Sequence, residues 1–200
     1  MGCGKNGGFD KHPDWQQWAI FAIHDKPIEA MNQSAERMIT GLYGSFIDRW
    51  IKKFKCETWT LFLQPIEGHG KWDGKQPFGE LAKQTAYDGP VAILTRATIR
   101  LSRLKAFWQN VNGVAMEMAN AGGLVTSFGI GEMPFIKQAT FSIWQSREAM
   151  KQFAYKRQHH TDVIQKTRRE NWYREEMFVR FIPLQAFGTI KGSDPLGGKL

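Results

Sequence analysis

The chain has 200 residues and a mass of 22.9 kDa, with 42% hydrophobic, 13% aromatic and 23% charged residues, enough for one substantial core or two small ones, which excludes disordered and fibrous classes. Twenty-seven basic residues against 19 acidic ones give a net charge of +8, which favours acidic partners such as anionic lipid, nucleic acid or a carboxylate-bearing cofactor. The longest apolar run, Trp18 to Ile23, falls far short of the roughly 20 residues of a membrane-spanning helix, and only two cysteines, Cys3 and Cys56, occur, which reads as free thiols in a reducing cytoplasm.

From the N-terminus, Gly2-Cys-Gly4-Lys-Asn-Gly7 spells G-x-G-x-x-G. The dinucleotide fingerprint needs a strand before it and a helix opening on its last glycine, so a strand end with a glycine turn is the expectation here. Ala19 to Ile23 reads as a strand followed by a helical stretch. The basic run Arg49-Trp-Ile-Lys-Lys-Phe-Lys55 suits nucleic acid or a membrane surface; the plainer expectation is a solvated helix face with Trp50, Ile51 and Phe54 turned inward. Phe62 to Pro65 closes a further strand, and Glu67 to Pro90, with Gly68, Gly70, Gly74, Gly79 and Gly89, reads as a link.

The second half is more regular. Val91 to Arg100 is a β-branched run entered through Gly89-Pro90. Leu101, Leu104, Phe107, Trp108, Val111, Val114, Ala115 and Met118 recur at three- and four-residue spacing and predict an amphipathic helix, stopped by Ala121-Gly-Gly123. Strands are expected at Leu124 to Gly129 and Gln138 to Trp144, helices at Arg147 to Tyr155 and His159 to Asn171, and a last strand at Phe178 to Leu184. The order β-α-β-β-α-β is the ferredoxin-like arrangement, two helices on one face of an antiparallel sheet. Alternation would put Arg96, Thr98, Thr140, Ser142 and Trp144 on one face, opposed to Ile93, Phe141 and Ile143, and would leave the face away from the helices free.

The first half looks like a partial copy. Ala19 to Ile23 matches Ala139 to Ile143 at an offset of 120, and Phe62 to Pro65 matches Arg180 to Pro183 at 118. The expected organisation is a partial N-terminal half over 1–66, a Gly-rich linker over 67–90, a complete ferredoxin-like half over 91–187 and a flexible tail over 188–200.

No C-x-x-C, H-E-x-x-H, P-loop, G-x-S-x-G or C-x-x-C-H occurs, so structural zinc, zinc protease, nucleotide hydrolase, serine hydrolase and covalent c-type haem lack their minimal chemistry. Of five histidines, His12 and His69 read as solvated loop residues, whereas His159 and His160 stand together at the start of the last helix, where one imidazole can face the sheet while its neighbour faces water. Eight tryptophans are generous for this length, and a sheet face without helices needs a second sheet or a large apolar ligand, so an apolar pocket is expected.

Several stretches together resemble the spheroidene monooxygenase family, the acyclic carotenoid ketolases: Trp59 to Pro65 with Gly70-Lys-Trp72, Leu94 to Arg100, Phe107-Trp108, Gly129 to Pro134, Gln138 to Trp144, Phe153-Ala-Tyr155 with His160, and Thr167-Arg168 with Asn171-Trp-Tyr173 and Glu175-Glu176. Members of that family look longer at the N-terminus, which coincides with the piece missing from the internal repeat, so Met1 reads as an internal methionine or this as a shortened homologue. The resemblance implies an oxidoreductase that uses O2 and an external electron donor to place a keto group, through a hydroxyl, at C-2 of an acyclic carotenoid such as spheroidene, with haem b held non-covalently. It also implies an α+β fold of two ferredoxin-like halves closing a dimeric-α/β-barrel-like architecture, the N-terminal half incomplete. Onto this chain it carries His160 as the axial iron ligand, Arg96 as a catalytic residue and propionate partner, Gln138 as a second catalytic residue, and Trp108, Thr140, Ser142 and Trp144 as pocket lining. A carotenoid, an electron-donor protein, peripheral membrane contact and a homodimer are the partners implied, without nucleic acid. Two other classes stay open: a cofactor-free monooxygenase of the same fold, and a non-catalytic carrier of haem or a lipophile.

Overall fold

The element order expected over the second half is the one found in the computed structural model. Residues 2–4, 8–24, 35–133, 135–156 and 158–197 are described, with 2–3, 35–40, 42, 155–156 and 158–161 described in backbone only. The elements are β1 (Gly2–Gly4), β2 (Pro13–Trp18), α1 (Ala35–Phe54), β3 (Trp59–Gly70), β4 (Val91–Ile99), a 3-10 turn into α2 (Leu104–Ala119), β5 (Leu124–Met133), β6 (Lys137–Trp144), α3 (Arg147–Lys156), α4 (Gln158–Arg169) and β7 (Tyr173–Gly188). The sheet order is β2-β1-β5-β6-β4-β7-β3. Within it, β5-β6-β4-β7 is second-third-first-fourth, all antiparallel, the ferredoxin-like order that the β-α-β-β-α-β pattern anticipates.

Two compact units divide the chain, Met1–Ile20 with Pro65–Ile182, and Phe21–Gln64 with Pro183–Leu200, a division that does not follow the linker expected at 67–90. In the first unit that Gly-rich segment wraps the edge of the sheet. Ala82 bridges Glu67 in β3, Phe78 packs edge-on against Phe181 at 5.4 Å, and Tyr87 joins the core on the other face. Gly70 is required where β3 ends: at φ 89° a Cβ would collide with the Glu176 carbonyl. In the second unit, residues 189–196, expected as a flexible tail, are held. The Glu57 carboxylate accepts from Thr189 Oγ1 at 2.7 Å and from the Lys191 and Gly192 amides at 2.8 and 2.6 Å, and Trp59 Nε1 donates to Asp194 at 3.1 Å.

The first-half repeat is not seen as expected. Ala19 to Ile23 forms no strand; the strand precedes it at Pro13–Trp18. Pro65 and Pro183 lie inside β3 and β7 rather than closing them.

Cross-strand register decides which face each candidate residue occupies. Thr95 pairs with Thr140 and Arg96 with Ala139, so Arg96 and Thr98 lie on the face opposite Thr140, Ser142 and Trp144. The expected common face is wrong by one residue in register, enough to invert a strand. The helices cover the Thr140 face, where Val91, Ile93, Trp144, Met118 of α2, and Met150 and Phe153 of α3 form one core. The far face, expected to be free, is buried: Ala92, Leu94, Arg96, Phe141, Ile143, Met177, Val179 and Phe181 are all closed.

Candidate functional site

The far face carries one charge network. Arg96 is 0% exposed in the middle of the sheet. Its NH2 donates to Asp73 Oδ1 at 2.9 Å and Glu132 Oε2 at 3.0 Å, its NH1 to Glu175 Oε1 at 2.7 Å and Thr98 Oγ1 at 3.2 Å, and its Nε to Glu132 Oε1 at 3.4 Å. A guanidinium has five N–H donors, and all five are used. Trp72 stacks over it at 5.3 Å, and Lys137 adds a second cation on Asp73 at 2.7 Å. Lys137 and Arg96 together hold the Asp73 carboxyl below its usual range. Burial pushes Glu175 up, but the Gly74 and Asp73 amides and Arg96 outweigh it, leaving that carboxyl lowered too. All five Arg96 donors are therefore engaged by acceptors of the protein itself, where the resemblance implies a propionate partner.

The helix face is less uniform. Trp144 is buried under α3 against Phe153 at 5.2 Å, and its Nε1 donates to Ser142 Oγ at 3.0 Å. These two expected pocket residues are core, each satisfying the other. Two strand residues further along, Thr95 is exposed although it is the midpoint of a central strand, and its neighbour Thr140 is half-buried. A central residue on a helix-covered face meets solvent only where the helices stand off the sheet. The apolar side of α2 agrees, since Phe107, Val111, Val114 and Ala115 are part-exposed and only Met118 reaches the core. Trp108 and Gln138 frame the same end of α2 and the β5–β6 connection: Trp108 Nε1 donates to the Phe135 carbonyl at 3.2 Å and Gln138 Nε2 to the Met133 carbonyl at 3.4 Å.

The α3–α4 run starts just after Trp144, which pairs with Val91, and ends just before Tyr173, which pairs with Ile99. It therefore travels the length of β4. The backbone of His159 and His160 lies in the first turn of α4. The side chain of His160 lies outside the described residues. Among the described residues no group of three His, Cys, Asp or Glu side chains is arranged to hold a metal ion.

Sequence reasoning missed a second buried charge cluster on the helix face. Glu67 accepts from the Thr85 amide and hydroxyl at 2.6 and 2.9 Å, lies 3.3 Å from Arg147 of α3 and pairs with Arg180 of β7. Arg147 also donates to the Thr85 carbonyl, while its Nε is buried with no acceptor. Beside them Phe178 is stacked by His69 at 5.6 Å and lies 5.5 Å from the Arg180 guanidinium. The one signal in the sequence was the single acidic residue of β3; its partners lie 18, 80 and 113 positions away, beyond any local pattern.

Residues 92–182 match the model of a domain of unknown function, DUF3291. The spheroidene monooxygenase of Rhodobacter capsulatus is 35% identical over 200 residues, covering all of this chain and 80% of that protein. The chain belongs to the spheroidene monooxygenase family. The family member from Cereibacter sphaeroides is 36% identical over 201 residues, and the chain spans 59% of that protein's length. Among solved structures, a monooxygenase-like protein from Fusobacterium nucleatum is 13% identical, with a TM-score of 0.47 over 78% of this chain and 66% of that one. In this family member the matched domain holds Arg96, Thr95, Gln138, Thr140, Arg147, His160 and Arg180 but not Glu67 or Asp73, so each charge network is completed from outside it.

Proposed function

We propose that this chain is an oxygen-dependent monooxygenase acting on an acyclic carotenoid of the spheroidene type, placing a keto group at C-2 through a hydroxyl. The observation that carries this reading is membership of the family, and the exposure of Thr95 at mid-strand on the helix-covered face, together with the half-exposed apolar side of α2, supports it because a polyene needs an accessible apolar surface. We assign haem b to this helix face, where His160 would hold its iron. The buried Arg147 Nε, which has no acceptor, and the two guanidinium groups of Arg147 and Arg180 gathered at Glu67 fit an anionic propionate, whereas the saturated Arg96 does not. When bound, such a group would activate O2 with electrons from an external donor protein. The chain's own residues then have separable tasks. The α2 stripe excludes water from the polyene, Thr95 and Thr140 offer hydroxyls at the cleft floor, and Trp108 and Gln138 fix the 133–138 connection at its end.

The test is an absorption spectrum of the full chain supplied with haem, followed by turnover of spheroidene with a reductant and oxygen. A Soret band that His160→Ala abolishes, a weaker one in Arg147→Gln, and an oxygenated carotenoid product are expected. No Soret band in the unaltered chain overturns the haem assignment and favours cofactor-free oxygenation if product still forms. A haem-loaded chain that yields no oxygenated product overturns the enzyme reading in favour of a carrier.

A further inference from the structure

Helix α1 departs from the plain reading of its sequence. Gly44, at φ 79° and ψ 162°, interrupts the helix, so the segment from Ser45 to Phe54 stands as a separate amphipathic piece. The sequence expectation turned Trp50 and Phe54 inward. Instead Phe46, Trp50 and Phe54 are 66%, 52% and 55% exposed, while Ile47, Asp48 and Ile51 form the half-buried side. At i, i+4 and i+8 the three rings make one ridge, touching in series at 6.2 and 4.5 Å.

The ridge is flanked by cations. Successive helical residues turn by about 100°, which sets Lys53 and Arg49 directly beside Phe46, and Lys53 lies over the Phe54 ring at 5.7 Å. Lys52 and Lys55 are exposed as well. The one acidic residue of the stretch, Asp48, is engaged by Lys52 at 3.1 Å.

We propose that the Ser45–Phe54 face of α1 docks on an anionic lipid bilayer, its aromatic ridge entering the headgroup boundary and Arg49 and Lys53 pairing with lipid phosphates. The charge is complementary to such a surface, and the overall +8 adds to the attraction. Tryptophan and phenylalanine beside lysine is the composition of an interfacial helix, whereas a protein interface is depleted in lysine. Single-stranded nucleic acid is bound in grooves with bases on stacking platforms; here the rings crown a convex ridge. Among the described residues no helix is long and apolar enough to cross a membrane.

Co-sedimentation of the full chain with phosphatidylcholine vesicles, with and without phosphatidylglycerol, tests this without any carotenoid or haem, so its failure is separable from failure of the enzymatic reading. The chain is expected to bind the anionic vesicles, with binding weakened by salt. Phe46→Ser/Trp50→Ser/Phe54→Ser should lower the partition coefficient at least about tenfold, with an unchanged far-UV circular dichroism spectrum. Arg49→Glu/Lys53→Glu should lose binding to anionic vesicles alone, and it serves as the reporter if the aromatic variant does not fold. Absence of vesicle binding, or binding indifferent to both variants, overturns the proposal. So does a concentration-dependent dimer, or oligonucleotide binding, that depends on the same residues while vesicles are ignored.

Discussion

Replacing Arg96 by methionine, similar in length and uncharged, tests whether the far-face network is structural. The change strands Asp73, Glu132 and Glu175, which lie 2.9, 3.0 and 2.7 Å from the guanidinium. Removing one partner of a buried ion pair costs about 3–5 kcal/mol. Asp73 is 48% exposed and keeps Lys137 at 2.7 Å, so the lower end, about 3 kcal/mol, is expected. For a chain of this size that lowers the melting temperature by about 6–12 °C. The pH dependence adds a signature. In the unaltered chain the Asp73 and Glu175 carboxyls are lowered in the folded state, so their contribution is present above the ordinary carboxylate range and is lost as pH falls through the folded values. In Arg96→Met the guanidinium's share of that lowering is removed, while Lys137 on Asp73 and the Gly74 and Asp73 amides on Glu175 remain; the three acids lose their common cation and repel one another, so taking up a proton relieves the fold. The stability deficit should therefore shrink between pH 7 and pH 5, read as urea midpoints at several pH values. A midpoint at pH 7 within about 0.5 kcal/mol of the unaltered chain, or a deficit that grows on acidification, would refute the reasoning.

Two further outcomes follow from the helix face and the sheet edge. Glu67→Gln leaves Arg147 and Arg180 close together without their carboxylate and should cost about 3 kcal/mol in urea unfolding; adding Arg180→Met should recover part of it, and strict additivity of the two changes would exclude the shared network. Gly70→Ala should cost at least about 2 kcal/mol, because strain at positive φ adds to a collision with the Glu176 carbonyl, whereas Gly74→Ala, at φ 78° with open space around it, should cost only about 1 kcal/mol; equal thermal shifts in the two variants would sink that distinction.

The second half was legible because its elements are written in local periods: three- and four-residue spacing over α2, a continuous β-branched run over β4, glycine punctuation between them. The left-handed Asn171, at φ 53°, ends α4 just where the helical pattern runs out. What could not be read is how neighbouring strands are registered, since a single-residue slip exchanges the faces. That slip alone moved Arg96 and Thr98 away from Thr140 and converted an imagined pocket wall into a buried salt-bridge network. Ala19 to Ile23 misled for a different reason. An apolar run of five residues has no period of its own, and resemblance to Ala139 to Ile143 stood in for one. At α1 the amphipathic rule itself was the source of error, because it assigns aromatic residues to the inside, and here the isoleucines take that side.

The fate of Arg96 bears on how site residues are carried between sequences. A guanidinium forks towards any carboxylate within reach, and a protein carboxylate fixed by the fold competes at far higher effective concentration than a ligand's. An arginine on a buried strand is thus available to a ligand only where the chain withholds acids from it. Asp73, Glu132 and Glu175 converge on Arg96, whereas Arg147 and Arg180 both meet Glu67. The difference between the two networks, not the presence of an arginine, is the ground on which we propose anionic chemistry for the helix face, the same face on which Thr95 lies open.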